Sequence, residues 1–419
     1  MSKGLLAVIL CALCLVLVWR FYMFYQEKPV YRNGQLLILE VVLQEEPELS
    51  NKGQKFAVTD AYNQTLYITY EAFPRLHFGQ VLQIEGELQE IKLEDGRILY
   101  SMYHPDVAVR ADSMGFIPGL ASAIRNQSKI VFESTLPPVS ASLLMGIVFG
   151  AKEHFPDDFF NALQTTGVLH VIAASGMNVT FIAAALLFTL SRFMRRQLAL
   201  VIGCFGILFY VFLVGFEPSI IRASIMAVLA FSASLFGRQH IAAFAVLVSA
   251  YTMLLYQPGF LFDIGFQLSF FATLGILFIK PLLPLPQNFF AETISTTIAA
   301  QLGTLPILLG VFGEVGLLSL LVNALVLWTV PFVMLLGSLA VVCNFVFMPL
   351  AQMLLFASLP LLSFFEYVVM LFGRSDWILH IPPLPKVFWL GYYCVAAAFI
   401  LTKKPDLRAE ERKLLFSDL

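Results

Sequence analysis

The stretch TGVLHVIAASGMNVTFIAAALLFTL, residues 166–190, decides the fold because it is apolar along almost its whole length. A helix of about 20 apolar residues crosses the roughly 30 Å of hydrocarbon in a bilayer. The stretch shows no alternation of apolar and polar residues, so its pattern predicts a helix and not a strand of a membrane barrel. We therefore predict that residues 166–190 form one membrane span, with a helix that is weakened locally where Gly176 lies between Ser175 and Asn178.

Runs of the same kind recur on both sides of this stretch. The chain has 59% hydrophobic and 13% charged residues, whereas a soluble domain has about 45–50% and about 25%. This composition predicts a polytopic α-helical membrane protein. Further spans are predicted near residues 4–24, 198–216, 219–236, 241–256, 262–280, 294–312, 316–342, 346–372 and 386–402. For the spans at 316–342 and 346–372, a break or a re-entrant path is left open.

Residues 35–112 differ in kind from these runs. Segments such as QKFAVTD and TLYITY are rich in β-branched and aromatic residues, and NKG at 51–53 and EDG at 94–96 are turn signals. Five such segments predict a small β-barrel of the OB-like kind, and another five-stranded β domain is the alternative. The region carries 13 acidic and 6 basic residues, a balance of −7, against +5 for the rest of the chain.

The remaining regions complete the predicted organisation. Residues 1–34 are interpreted as an uncleaved signal-anchor helix, residues 113–165 as amphipathic or interfacial helices, residues 166–402 as a multi-span domain and residues 403–419 as a short charged tail. Basic residues in short loops predict the cytoplasmic side, which makes the β domain extracytoplasmic. These loop residues are Arg192, Arg195, Arg196, Arg238 and Lys280.

Polar side chains inside the predicted spans form four clusters. Such groups are costly in hydrocarbon and usually face a cavity or a partner. The clusters are His170, Ser175, Gly176 and Asn178; Glu217 and Arg222; Asp263 and Gln267; and Gln301 and Thr304, followed by Asn323. The structural alternatives are a tight helix crossing through Ser175 and Gly176 and an interfacial ion pair between Glu217 and Arg222.

Two of these clusters carry more detailed expectations. In one continuous helix, Asp263, Gln267 and Phe270 would share a face, and two polar groups stacked on one face are typical of a cavity lining. Pro306 follows the fourth cluster and has no backbone N–H. It therefore frees the carbonyl near residue 302 for a substrate or a neighbouring helix.

The sequence indicates neither a metal site nor a cofactor. None of the six histidines is spaced as a ligand pair, and the five cysteines lie in apolar runs. No Walker A motif is present, so we expect no ATP hydrolysis by this chain. We predict no catalytic residues and no enzyme activity.

Taken in order, the four clusters resemble the membrane domain of the competence protein ComEC family. The segments that carry the resemblance are GVLHVIAASGMNVT, PSIIRASIMAVL, PGFLFDIGFQLSFFATLGIL, AAQLGTLPILLG and HIPPLP, and they cover roughly residues 140–385. The resemblance implies a channel that passes single-stranded DNA across the cytoplasmic (inner) membrane in natural transformation. It also implies other DNA-uptake proteins as partners, namely a DNA receptor, a cytoplasmic motor and a separate nuclease, and it leaves a homo-oligomer open.

The same resemblance implies which residues line or structure the pore. The positions that it implies are His170, Ser175, Gly176, Asn178, Arg222, Asp263, Gln267 and Gln301. The polar clusters add Glu217, Thr304 and Asn323 to the expected pore or pore-structuring positions. Many family members carry histidine at the position of Asn178. Many also continue into a metallo-β-lactamase-like nuclease domain, but this sequence has no His-x-His-x-Asp-His run, so we expect strand degradation from another protein.

Two other function classes and one question about the β domain stay open. The first class is a small-solute secondary transporter with discontinuous helices. The second is an intramembrane serine hydrolase that uses Ser175 and His170. The balance of −7 in residues 35–112 favours a structural or docking role for the β domain over tight DNA binding, because phosphates are repelled.

Overall fold

The computed structural model describes residues 3–27, 31–43, 47–50, 53–60, 64–76, 78–92, 98–110, 116–151, 155–172, 175–237, 241–283, 289–316, 318–374, 378–380 and 386–403. Contacts divide the chain into two compact units. The first unit is Met1–Ile124 with Ser249–Asp263, and the second is Arg125–Val248 with Ile264–Leu419.

The first unit combines a long helix with a β domain. Helix α1 (Lys3–Glu27) precedes eight strands. The strands are β1 (Leu36–Val42), β2 (Glu48–Ser50), β3 (Gly53–Thr59), β4 (Thr65–Tyr70), β5 (Val81–Glu87), β6 (Gln89–Lys92), β7 (Ile98–Tyr103) and β8 (Asp106–Val109). Arg20 of α1 donates hydrogen bonds to the carbonyls of Leu255 at 3.0 Å and Tyr256 at 3.1 Å, and these bonds cap the end of a later helix, α9 (Ala242–Tyr256).

The strands form one sheet of order β2-β3-β4-β7-β6 and another of order β1-β5-β8. Strands β4 and β7 are parallel, and the other pairs are antiparallel. Leu66, Ile68, Leu82, Ile84 and Met102 are fully buried in the domain core. Each of the five predicted segments contains a strand, so a small sheet domain is confirmed.

The count of five strands was wrong, because the structure has eight in its described part. Strand β2 was missed, and so was β6 apart from its first residue, Gln89. The last of the five predicted segments, RILYSMYHPDVAVR at residues 97–110, divides into β7 and β8 because His104 adopts a left-handed φ of 49° there and is followed by Pro105. Proline cannot donate to a strand ladder, so the two strands separate at this turn.

The second unit is helical apart from one short strand pair. Helix α2 (Phe116–Thr135) leads into it, and β9 (Glu314–Gly316) pairs with β10 (Ile378–His380). The other helices are α3 (Pro138–Phe149), α4 (Asp157–Thr166), α5 (Leu169–Ile172), α6 (Gly176–Phe193), α7 (Arg196–Val214), α8 (Pro218–Leu235), α10 (Ile264–Phe278), α11 (Phe289–Phe312), α12 (Ser319–Val326), α13 (Thr329–Asn344), α14 (Met348–Gly373) and α15 (Lys386–Lys403).

Six of the described helices are long and apolar enough to cross a membrane. They are Gly176–Phe193, Arg196–Val214, Pro218–Leu235, Ile264–Leu282, Ala291–Val311 and Met348–Gly373. The predicted spans at 4–24, 241–256 and 386–402 are helical too, but their described apolar parts are shorter: Cys11–Gln26, Ala242–Tyr256 and Val387–Ile400.

Two predicted spans are broken. Residues 166–190 do not form one helix: α4 ends at Thr166, Gly167 has a left-handed φ of 69°, α5 ends at Ile172 and α6 begins at Gly176. Residues 316–342 divide into α12 and α13, which meet at a bend of 45°. Glycine supplies the left-handed cap in the first case. In the second, Pro331 in the first turn of α13 removes a backbone donor.

The predicted shared face of Asp263, Gln267 and Phe270 was also wrong. A 3-10 helix occupies Pro258–Phe262, Asp263 has extended backbone at its end, and α10 begins only at Ile264. Asp263 therefore lies outside the helix that carries Gln267. The helical spacing of four residues cannot be applied to this pair.

Helix α11 shows the expected consequence of Pro306. The carbonyl of Leu302 accepts a hydrogen bond of 2.8 Å from the hydroxyl of Tyr392, and the carbonyl of Gly303 accepts one of 3.0 Å from Tyr393. Both tyrosines belong to α15. The prediction that Pro306 frees a carbonyl near residue 302 is confirmed, and a neighbouring helix uses it.

Replacing Tyr392 with phenylalanine is expected to destabilise the second unit by about 1–3 kcal/mol, because the carbonyl of Leu302 loses its partner. Thermal unfolding of the purified protein measures the loss. In a Pro306→Ala background the new N–H of residue 306 bonds that carbonyl, so the cost of Tyr392→Phe should shrink. If Tyr392→Phe lowers the stability equally with proline and with alanine at 306, the Tyr392 hydroxyl does not stabilise the protein through the carbonyl of Leu302.

Candidate functional site

The candidate site lies in the second unit at the break between α4 and α6. Helix α3 ends against this break: a Cβ on Gly146 would lie 2.3 Å from Ile172 Cγ2, so only glycine permits the approach of α5 to α3. Helix α3 has 12 residues, and its core-facing side chains are buried. A helix of this length is too short to span a bilayer alone.

Asn178 connects the start of α6 to the end of α3. Its side chain is fully buried. The amide Nδ2 donates to the carbonyl of Ile147 at 3.0 Å, and Oδ1 accepts a hydrogen bond of 3.0 Å from the hydroxyl of Ser175. A buried amide whose two ends are both bonded holds two segments in one arrangement. Asn178 and Ser175 therefore structure the break.

Gly176 permits Arg222 of α8 to reach the first turn of α6. A Cβ on Gly176 would lie 3.3 Å from Arg222 Nη2 and 3.3 Å from Ala223 Cβ. Arg222 has 6% of its surface exposed. Its Nε and Nη1 atoms have no hydrogen-bond partner within the part of the chain that the structure describes. The predicted ion pair with Glu217, the N-cap residue of α8, therefore does not occupy these two atoms.

His170 lies on α5, and its side chain is exposed. Its Nδ1 atom lies 2.9 Å from the carbonyl oxygen of Gly167. The hydroxyl of Ser175 is engaged by Asn178, so these contacts do not pair serine with histidine. The arrangement gives no support to a serine nucleophile activated by His170.

A second group of polar residues lies between α11 and α12. Gln301 Nε2 lies 2.9 Å from Ser319 Oγ and donates a hydrogen bond to it. A Cβ on Gly167 would lie 2.9 Å from Ser319 Cβ, which places this group beside the break. Asn323, one turn after Ser319, is buried and its Oδ1 has no partner among the described residues. Ser319 thus connects Gln301 of the fourth cluster to Gly167, the residue that ends α4 at the break.

Other predicted site residues are not joined to this arrangement by the contacts described above. Asp263 and Gln267 are half-buried. Thr304 is buried, but its hydroxyl donates to the carbonyl of Ala300 within its own helix, which is a local bond. This contact of Thr304 is typical of a residue with a structural role.

Sequence reasoning missed three residues near or within these helices. The hydroxyl of Tyr210 donates to the carbonyl of Val148 at 3.0 Å, next to the carbonyl that Asn178 uses. Ser319 is the partner of Gln301. Glu366 is the single charged residue in the sequence of α14 and is half-buried. Only Glu366 had a visible signal, because an acid within an apolar run is rare.

Replacing Asn178 with leucine is expected to cost about 1–3 kcal/mol of stability, because the carbonyl of Ile147 and the hydroxyl of Ser175 both lose a buried partner. Histidine at 178 retains a donor and should cost less. The melting temperature of each purified variant measures the effect. Thr180→Val is the matched control, since that exposed hydroxyl bonds only within its helix; a loss as small as this control's would contradict the structuring role.

Comparison with known proteins gives the chain a family context. A model of the Competence protein family matches residues 147–406. The chain is 30% identical over 208 residues to ComE operon protein 3 of Bacillus subtilis (strain 168), which covers 49% of this chain and 27% of that protein. No solved structure matches the chain.

Two uncharacterized proteins also match. One, from Aquifex aeolicus (strain VF5), is 30% identical over 207 residues, 49% of this chain and 48% of that protein. The other, YcaI of Escherichia coli (strain K12), is 22% identical over 270 residues, 61% of this chain and 36% of that protein. The chain therefore covers less than half the length of each of these relatives.

Proposed function

The chain belongs to the Competence protein family, and from this premise we propose that it is a channel that passes single-stranded DNA across the cytoplasmic membrane during DNA uptake. The observation that carries the proposal is Arg222, a buried cation with unpartnered nitrogens beside the start of α6. A buried arginine is usually paired. An arginine at a helix break whose Nε and Nη1 have no partner among the described residues is the feature expected where an anionic substrate passes.

The broken helices support the same proposal. Non-helical backbone at membrane depth is tolerated only where it is buried in protein or lines a water-filled cavity. Ser175 lies in the α4–α6 break and Asn178 in the first turn of α6, and Ser319 and Asn323 lie on α12 just before the second bend. Polar groups thus gather where the backbone departs from a helix. A polyanion with polar bases requires such a path.

Charge in the chain is compatible with a polyanionic substrate. Outside residues 35–112 the balance is +5, which follows from 20 basic and 15 acidic residues. Positive potential raises the local concentration of an anionic substrate. We include the other predicted positions in the proposed pore or its supporting structure. They are His170, Ser175, Gly176, Asn178, Glu217, Asp263, Gln267, Gln301, Thr304 and Asn323.

We propose that the β domain is an OB-like barrel on the extracytoplasmic side. Strands β5 and β6 are separated by Leu88 alone. If β5 and β6, and likewise β1 and β2, are two halves of bent strands, the observed pairings run in a closed circuit. The parallel pair of β4 and β7 fits a mixed Greek-key barrel of this kind. The proposed role is structural or docking.

The proposed channel is passive and takes its driving force from other proteins. We propose an external DNA receptor, a cytoplasmic motor and a separate nuclease as its partners, with the lipid bilayer around α6, α7, α8, α10, α11 and α14. A homo-oligomer is compatible with this arrangement. No cofactor is needed for passive passage.

Reconstitution into liposomes tests the proposal. A fluorescent single-stranded oligonucleotide added outside should become protected from external nuclease, whereas the duplex of the same sequence should not, because the polar path has to admit one strand. Empty liposomes are the control. Uptake of a labelled small solute without protection of either DNA form would instead support the transporter, the class that discontinuous helices also fit.

A further inference from the structure

We propose that Arg222 and the first turn of α6 form an internal binding site for a phosphodiester group of the DNA strand. This inference rests on the proposed channel function and names the chemical group that the channel recognises. Its starting point is that two sources of positive charge converge at Gly176. One is the guanidinium of α8, and the other is the N-terminal end of an 18-residue helix.

The first turn of α6 has backbone donors that its own helix does not use. Ser175 is the N-cap residue of α6, but it makes no side-chain cap hydrogen bond; its hydroxyl donates to Oδ1 of Asn178. The N–H of Asn178 already bonds the carbonyl of Ser175 at 3.1 Å. Helix geometry leaves the N–H groups of Gly176 and Met177 without an intrahelical partner. Such N–H groups and the helix dipole together favour an anion.

Arg222 is the independent observation that points to a ligand. Only 6% of the surface of Arg222 is exposed. Its Nε and Nη1 atoms have no hydrogen-bond partner among the described residues. Its Nη2 atom lies 3.3 Å from the position that a Cβ of Gly176 would take. The guanidinium is therefore aimed at the first turn of α6. Its planar set of donors matches a phosphate, which it often binds through two parallel bonds.

The energetics separate a ligand site from a structural role. A buried charge without a partner destabilises the fold, and replacing it with an apolar side chain of similar volume is often neutral or stabilising. A structural arginine would instead leave unpaired acceptors when removed. Replacing Arg222 with methionine is therefore expected to weaken DNA binding and to leave the stability of the protein unchanged or raise it.

The test uses the full-length protein in nanodiscs of phosphatidylcholine and an oligothymidylate of about 12 nucleotides as the probe. We compare the wild type with Arg222→Met, Arg222→Lys and the control Arg195→Met, which removes an exposed arginine at the N-cap of α7. Affinity for the oligonucleotide and the melting temperature without ligand are measured for each. A methylphosphonate version of the probe lacks the phosphate charge and needs no protein variant.

The expected result has three parts. Arg222→Met binds the phosphodiester probe about ten-fold or more weakly than the wild type, and Arg222→Lys lies between them because it retains charge without the planar donors. The methylphosphonate probe binds wild type and Arg222→Met alike. Arg222→Met melts at the same temperature as the wild type or higher, and Arg195→Met binds as the wild type does.

Other results would overturn the inference. A lower melting temperature for Arg222→Met with unchanged affinity assigns the arginine to the fold. If Arg222→Met also binds the methylphosphonate probe more weakly than the wild type does, Arg222 does not recognise the phosphate charge. A rise in melting temperature in phosphatidylglycerol nanodiscs, without DNA and only in the wild type, assigns the site to a lipid headgroup.

Failure of this inference is distinguishable from failure of the channel. Arg222-dependent binding combined with no strand passage in liposomes leaves the phosphate site standing and removes the channel. Strand passage that is equal in wild type and Arg222→Met retains the channel and removes the phosphate site.

Discussion

Replacing Gly303 with valine is expected to separate α10 from α11 and to destabilise the second unit by about 3 kcal/mol or more, a large cost for overpacking. A Cβ on Gly303 would lie 2.4 Å from the carbonyl oxygen of Phe271 and 3.2 Å from Gly275 Cα. A Cβ on Gly275 would lie 2.2 Å from the carbonyl oxygen of Ala299. These obstacles are backbone atoms, so the whole helix has to move. Small residues at such crossings allow two helices to approach closely.

The loss is measured as the melting temperature of the purified protein and its abundance in membranes. Gly391→Ala is the matched control, because a Cβ at that position in α15 meets nothing within 4 Å. Alanine there should be neutral or slightly stabilising, since glycine weakens a helix interior by about 1 kcal/mol. If Gly303→Val melts at the same temperature as the Gly391→Ala control, α10 and α11 are not in close contact.

Arg222→Glu is expected to reduce DNA import into the cytosol by about 100-fold or more, because a like charge facing a phosphate in a desolvated site costs several kcal/mol. Arg222→Lys should retain part of the import. The measurement counts labelled DNA in the cytosol of cells that carry each variant. Protein abundance in the membrane, determined by immunoblot, separates lost function from lost protein.

The matched control for this prediction is Arg195→Glu. Arg195 is exposed, and Arg192 and Arg196 keep its surroundings basic when its charge is reversed. Import at the wild-type rate is expected for that control. An Arg222→Glu strain that imports DNA as efficiently as the control would remove Arg222 from the path of the strand.

The positions of the helices could be predicted from the sequence because apolar length alone determines whether a helix can span a bilayer. Their interruptions had weaker signals. The Ser175–Asn178 segment was recognised as a local weakness, yet a continuous span was predicted across it, because apolar residues continue on both sides. Pro331 marked the first turn of α13 but is followed and preceded by apolar residues, so the bend was hidden within one run.

The composition of the candidate site was only partly accessible. Asn178 and Gln301 stood out as polar residues in apolar runs, but the partners that lie far from them in the sequence did not. The carbonyl of Ile147 and the hydroxyl of Ser319 are brought to them by tertiary packing, which no spacing in the sequence encodes. Asp263 was placed on a helical face because the 3-10 helix before it cannot be told from an α-helix by hydropathy.

The proposed channel is tested most directly by DNA uptake in a strain with an in-frame deletion of this gene. Labelled double-stranded DNA is offered, and the label bound to the surface is counted separately from the label in the cytosol. The proposed function predicts normal surface binding with no cytosolic label, and recovery with the intact gene but not with Arg222→Glu. Normal cytosolic label in the deletion strain, with no second copy of the gene, would contradict the channel.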